Sequence, residues 1–183
     1  MEKMIRILGM SLLLILPALA KAQLHQPVLP GLQGNELLQA LQNSFRPDAV
    51  LTYGEARDVL FGEIDARNDT LYGVYTDYAV YLPPGEDPTV AAFQGGSGIN
   101  TEHSYPRSKG ADGFVPEADM HHLFPTRVQV NADRASFPYA EVPDAEALSW
   151  YYLDQEVSNK PANDTGQFSE LGVMAFEPRD AYK

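Results

Sequence analysis

The sequence contains no cysteine. This excludes a zinc site built on thiolates, a disulfide framework and a cysteine nucleophile. Bases are scarce as well: 13 Lys and Arg stand against 25 Asp and Glu, a formal net charge of −12. That balance argues against a protein that grips nucleic acid through a broad basic patch. Beyond residue 22 there is no apolar run long enough to cross a bilayer. What is present suits one domain with a real core. The chain has 183 residues, 44% of them hydrophobic and 10% aromatic, too apolar for a disordered chain. Its 14 Pro and 14 Gly predict many turns.

Residues 1–22 read MEKMIRILGMSLLLILPALAKA. Lys3 and Arg6 precede an apolar run from Ile7 to Ala20, and Ala20-Lys21-Ala22 places small residues where a signal peptidase reads. The pattern predicts a signal peptide cut before Gln23, not a membrane anchor, and hence a secreted or periplasmic protein. Cleavage removes Lys3, Arg6, Lys21 and Glu2, leaving 10 bases against 24 acids, a net charge of −14.

Residues 23–34 read as a flexible lead-in, in which His25 is incidental. A helix is predicted over Asn35–Phe45, with Asn35 as cap, Leu37, Leu38, Leu41 and Phe45 on one face, and Arg46-Pro47 as its end. Thr52 and Glu55 have capping-box spacing, so a second helix starts there with Ala56, Val59 and Leu60 inward. Leu71–Leu82 is Tyr- and Val-rich and reads as a strand whose tyrosines belong to the core. Residues 83–98 read as a loop, and their glycine cluster lacks the Gly-Lys-Ser/Thr of a phosphate loop. Residues 144–157 fit helix or strand.

Residues 99–139 carry the chemistry. His103, His121 and His122 fall here with Glu102, Asp119 and Asn131, and with Arg107, Lys109, Arg127 and Arg134. Pro125-Thr126 predicts a helix start, with Val128, Ala132 and Ala135 buried and Arg127, Asn131 and Arg134 on another face. Two guanidinium groups flanking an amide suit phosphate oxygens, though a solvated face shows the same pattern. Glu102 supplies a hard oxygen for Mg²⁺ or Ca²⁺, and His103 a base that titrates near neutrality. Adjacent strand residues point to opposite faces, so the pair shares a site only if the strand ends or bends at Ser104-Tyr105-Pro106. A surface Glu beside a packed His is the plainer alternative. A zinc site from His103, His121 and an acid is a third.

NTEHSYPRSKG and ADMHHLFPTRVQVNADRASFPY resemble the bacterial endonuclease I family, secreted or periplasmic nucleases of the ββα-metal (His-Me finger) class. YGEARDVLFGEID, the Tyr-rich strand and FEPRD extend the likeness over about residues 50–183. The resemblance implies an α+β fold: a ββα-metal core with additional helices and the Tyr-rich strand. It implies one nuclease domain over residues 35–183, shorter at its C-terminus than the relatives. His103 matches the general base, Glu102 and Asn131 the metal ligands, and Arg134 a basic position that contacts phosphate. Asp119, His121 and His122 match a segment that orients the finger. Arg107, Lys109 and Arg127 are candidate substrate contacts. The implied cofactor is Mg²⁺, with Ca²⁺ or Mn²⁺ as alternatives. The implied partner is DNA, with RNA as a second substrate, cut by a monomer with little sequence preference. Activity would fall as the general base is protonated. Competing readings are a zinc-dependent hydrolase and a non-catalytic secreted nucleic-acid-binding relative.

Charge is not evenly spread. Over residues 103–134, Arg107, Lys109, Arg127 and Arg134 balance Asp112, Glu117, Asp119 and Asp133. A neutral segment in an acidic chain predicts weak substrate binding with a shallow salt dependence.

Overall fold

The computed structural model describes residues 28–183. The expected signal peptide and residues 23–27 of the lead-in lie outside the described residues. The chain divides into two units, Met1–Pro47 and Asp48–Lys183. In the first, helix α1 spans Gly34–Phe45. Gln33 holds the cap position without a side-chain bond, so Asn35 lies inside the first turn and does not cap. The helix stops at Arg46, which is extended because a proline follows.

The second unit opens with α2, Tyr53–Val59. Its capping box forms as the spacing predicts: Thr52 Oγ1 accepts from the Glu55 amide, and Glu55 Oε2 accepts from the Thr52 amide at 2.8 Å. The helix widens into a π turn at Leu60–Asp65, whose Leu60 and Phe61 are buried. The Tyr-rich stretch is a pair of strands rather than one. β1 (Thr70–Tyr72) and β2 (Ala79–Tyr81) run antiparallel, with residues 73–78 as the turn between them. That turn docks on a later strand through the Val74 amide and the Pro125 carbonyl, 2.9 Å apart. Gly73 permits the approach, since a Cβ there would meet the Arg127 nitrogen at 3.2 Å.

The predicted loop over 83–98 contains helix α3, Pro88–Phe93. Asp87 caps it by accepting from the Val90 amide, and Pro88 occupies the first turn, where its missing N–H costs nothing. Strand β3 (Ile99–His103) follows. A long excursion with the short helix α4 (Phe114–Glu117) leads to a 3₁₀ turn at Met120–His122, where an Asp119 cap replaces any strand. β4 (Leu123–Arg127) returns antiparallel to β3, pairing His103 with Leu123 and Ile99 with Arg127. Helix α5 (Val128–Arg134) leaves β4 directly. The remainder is β5 (Ser149–Tyr152), β6 (Gln155–Val157), β7 (Ser169–Leu171) and β8 (Phe176–Glu177), an antiparallel sheet ordered β6-β5-β7-β8. Residues 144–157 are thus a turn and a hairpin. Small antiparallel sheets separate from the helices make the unit α+β, as expected.

Thr126 does not start α5. It is buried inside β4, and Arg127 stands before the first helical residue. The inward face differs too: Val130 and Arg134 are buried, whereas Ala132 and Ala135 are exposed. In seven residues the alanines carry little burial energy, so tertiary partners choose the face. Val130 joins the cluster of Val74, Tyr75, Tyr151 and Phe176. A second cluster joins Leu60, Phe61, Leu71, Val80, Ile99 and Leu123. The β3–β4 pair feeds both, through Ile99 and Leu123 on one side and Phe124 on the other. Core packing therefore fixes the strand that ends in Glu102-His103.

Candidate active site

β3 stops at His103, and the turn at Ser104 lets two consecutive side chains reach one space. Glu102, His103, Asn131 and Arg134 line a pocket of about 350 Å³ together with Tyr53 and Arg107. A more apolar cavity of about 470 Å³ is lined by Tyr75, Tyr139 and Phe124 but by none of Glu102, His103 and Asn131.

Glu102 is buried, and its Oε1 meets one guanidinium and two hydroxyl donors. Arg134 Nη1 lies at 2.8 Å, the Tyr75 hydroxyl at 3.0 Å and the Tyr139 hydroxyl at 3.1 Å. The two phenol oxygens are themselves 2.5 Å apart. Burial lifts the Glu102 carboxyl above its ordinary range, while Arg134 and the hydroxyls pull it back. Burial and the neighbouring carboxylate also raise both phenols, Tyr139 to about 12. They therefore stay protonated and act as donors. Oε2 takes no protein hydrogen bond among the described residues.

Asn131 is reached from α5. Its Nδ2 donates to Asn100 Oδ1 at 2.9 Å and to the Thr101 carbonyl at 3.0 Å. A carbonyl only accepts, so the amide cannot be flipped, and Oδ1 is left without a protein donor among the described residues. One carboxylate oxygen and one amide oxygen are thus uncommitted at a single pocket. That hard, oxygen-only pair fits a divalent ion that keeps most of its waters. The zinc set of His103, His121 and an acid is not assembled among the described residues. The His121 side chain is 96% exposed, and no three His, Asp or Glu side chains are grouped to hold a metal among the described residues.

His103 is pinned through Nε2, 3.1 Å from the Glu117 carbonyl. Nε2 must be the donor, which leaves the Nδ1 lone pair as the basic position of the neutral ring. Its ring lies 5.5 Å from those of Tyr53 and His122. Burial pushes the imidazole pKa below its ordinary value. The Glu117 carbonyl opposes this, and His122 and Arg107 add to it.

The other sequence-predicted residues take several places. Arg134 is buried, with Nη1 also donating to the His103 carbonyl at 3.2 Å and Nη2 to the Ser104 carbonyl at 3.0 Å. Its guanidinium holds the end of β3 and lies over the Tyr139 ring. Arg107 lines the pocket and is tied to Glu117 at 3.0 Å and Asp112 at 3.3 Å. Lys109 is exposed and does not line the pocket. Arg127 is not at the pocket either; it turns to the Tyr78 ring at the end of β4. Asp119 accepts from His121 Nδ1 at 2.7 Å, and the pair orders its own turn away from the pocket. His122 Nε2 donates to the Pro116 carbonyl at 2.8 Å and packs its ring on His103. Tyr53, Tyr75 and Tyr139 were not singled out from the sequence. Only the Tyr-rich composition hinted at Tyr75, and that hint reads equally as core.

A buried carboxylate beside an arginine, an imidazole and an amide thus line one cleft. The chain matches Endonuclease I over residues 33–183 and belongs to that family. It is therefore a nuclease, a hydrolase whose substrate is nucleic acid. No curated protein and no solved structure matches it.

Proposed function

We propose that this is an exported, divalent-metal-dependent endonuclease that hydrolyses DNA, and RNA as a second substrate, with little sequence preference. In this reading β3, β4 and α5 form the ββα-metal finger. The observation that supports it most is the pair of consecutive residues at the end of β3: Glu102 and His103 open on one pocket with Asn131. Export rests on residues 1–22 alone.

Glu102 and Asn131 would hold the ion, which is Mg²⁺ in this reading, with Ca²⁺ or Mn²⁺ as alternatives. When bound it supplies positive charge beside the scissile phosphate, lowering the cost of the charge that builds there. The protein's own groups do the rest. His103 Nδ1 takes a proton from the attacking water. The water oxygen bonds to phosphorus, and the bond from phosphorus to the leaving 3′ oxygen breaks, that oxygen keeping the electron pair and taking a proton from solvent water. The Glu117 carbonyl keeps the imidazole in the tautomer that can accept. Arg134 acts on substrate only indirectly, by holding Glu102 and the backbone at residues 103 and 104. Arg107 is the exposed base best placed to meet a flanking phosphate.

Plasmid incubated with the mature protein and Mg²⁺ tests this. Nicking that disappears in EDTA and in His103→Ala is expected. Undiminished nicking by His103→Ala would remove the histidine from its role.

A further inference from the structure

We propose that Tyr53 is a positioning residue for the His103 imidazole, an inference that rests on His103 being the general base. One hydrogen bond from Nε2 to Glu117 fixes a point on the ring but not its plane. The outer torsion of a histidine has a broad energy well, so a second restraint is required for Nδ1 to face one direction. The Tyr53 ring supplies it. Its centroid is 5.5 Å from that of His103 at an interplanar angle of 37°, within the separation at which aromatic rings attract. His122 stands at the same distance from His103, at 44°.

Tyr53 is well held for such a task. It is the first residue of α2, directly after the Thr52 cap, so the capping box sets its backbone. The Arg57 guanidinium, one turn on, lies over its ring at 5.1 Å. Tyr53 also packs against the cluster of Leu60, Phe61 and Ile99, and it lines the pocket. The contact to His103 is made by the ring, which predicts that phenylalanine can replace tyrosine here. A tyrosine that instead donated its hydroxyl to substrate could not be replaced in this way.

The mature chain with Mg²⁺ and a short labelled duplex, assayed at steady state, separates these roles. Tyr53→Phe is expected to keep kcat and KM within about threefold of the parent. Tyr53→Ala is expected to lower kcat by about tenfold to a hundredfold with KM little changed, the cost of a misaligned reacting group. Tyr53→Leu keeps apolar bulk for the fold and should lose kcat as Ala does. Independently of turnover, the His103 ring protons should keep their NMR shifts in Tyr53→Phe and move in Tyr53→Leu by the Tyr53 share of the ring current, the His122 share remaining in both. If Tyr53→Phe is as impaired as Tyr53→Ala, if the loss lies in KM, or if the His103 shifts do not move in Tyr53→Leu, the proposal falls. Activity that survives His103→Ala would instead defeat the assignment of the base, and the ring contact would still be read by NMR.

Discussion

Arg134 Nη1 lies 2.8 Å from Glu102 Oε1, and the two side chains are only 2% and 1% exposed. The pair joins α5 to the end of β3 where water cannot screen it. Removing one partner from such a pair leaves a buried charge uncompensated, at a cost of about 3–5 kcal/mol. Arg134→Met should therefore lower unfolding free energy by about 3 kcal/mol in urea titrations. Adding Glu102→Gln should recover much of the loss. A fully additive double variant would mean that the stabilisation comes from the carbonyl contacts of Arg134 instead.

Tyr75 and Tyr139 complete the set on the same oxygen. Phenylalanine at either position deletes a hydrogen bond to a charged acceptor, worth about 1.5–3 kcal/mol. Because the hydroxyls touch each other, the two losses should not add. Calorimetric titration with Mn²⁺ should show weaker binding in each variant as Glu102 is freed to turn. Unchanged affinity in the double variant would disconnect these tyrosines from the metal.

Asn131→Ala removes the uncommitted amide oxygen while leaving Glu102 and its three partners in place. Mn²⁺ affinity should fall at least about tenfold, with nicking reduced in parallel. Retained affinity would take Asn131 out of the ligand set.

A second acidic site governs stability against pH. Glu170 on β7 faces Glu177 on β8, and burial, then Glu177 and Asp144, raises its pKa to about 7. Lys183 and Lys160 oppose the rise. The folded state thus binds this proton more tightly than the unfolded state, whose carboxyl titrates near its ordinary value. Stability from this group is full in acid and is lost as pH rises from the ordinary carboxylate range through about 7. Glu170→Gln should stabilise the protein at pH 8 by on the order of 2 kcal/mol and by much less at pH 5. An equal effect at both values would contradict this.

Salt dependence follows from the fate of the bases. Arg134 is buried, Arg127 is turned to Tyr78, and Arg107 is shared with two acids. Of the bases around the pocket, only Arg107 and the exposed Lys109 are left to displace counterions, so log Kd against log salt should have a slope no steeper than about 3. A slope near 10 would imply a basic surface elsewhere.

The sequence disclosed those parts of the fold and candidate site that rest on short-range chemistry. The Thr52–Glu55 box, the end of α1 before Pro47 and the break after His103 are each decided by residues a few positions apart. Glu102, His103 and Asn131 were singled out by the likeness of their segments to the family, because their side-chain chemistry alone reads as well as a surface Glu beside a packed His and a solvated helix face. What stayed hidden depends on long-range contacts. Arg134 carries the same charge in a buried pair as on an exposed face, so periodicity could not separate a structural arginine from a phosphate contact. Tyr139 reaches Glu102 across 37 residues, and Tyr75 reaches it across 27. Helix α3 was masked by the glycines that follow it, although Asp87-Pro88 was a legible start.

The end of β3 carries a further implication. The proposed base, His103, and the proposed acidic ligand, Glu102, are neighbours in the chain, so a single peptide unit sets the distance between their Cα atoms. No hinge motion can draw them apart or bring them together. Adjustment of the site is left to side-chain rotation alone, and the surrounding tyrosines, arginine and carbonyls each restrain one such torsion. A one-residue insertion between Glu102 and His103 would therefore do more harm than most substitutions around them, because it would re-aim both groups at once.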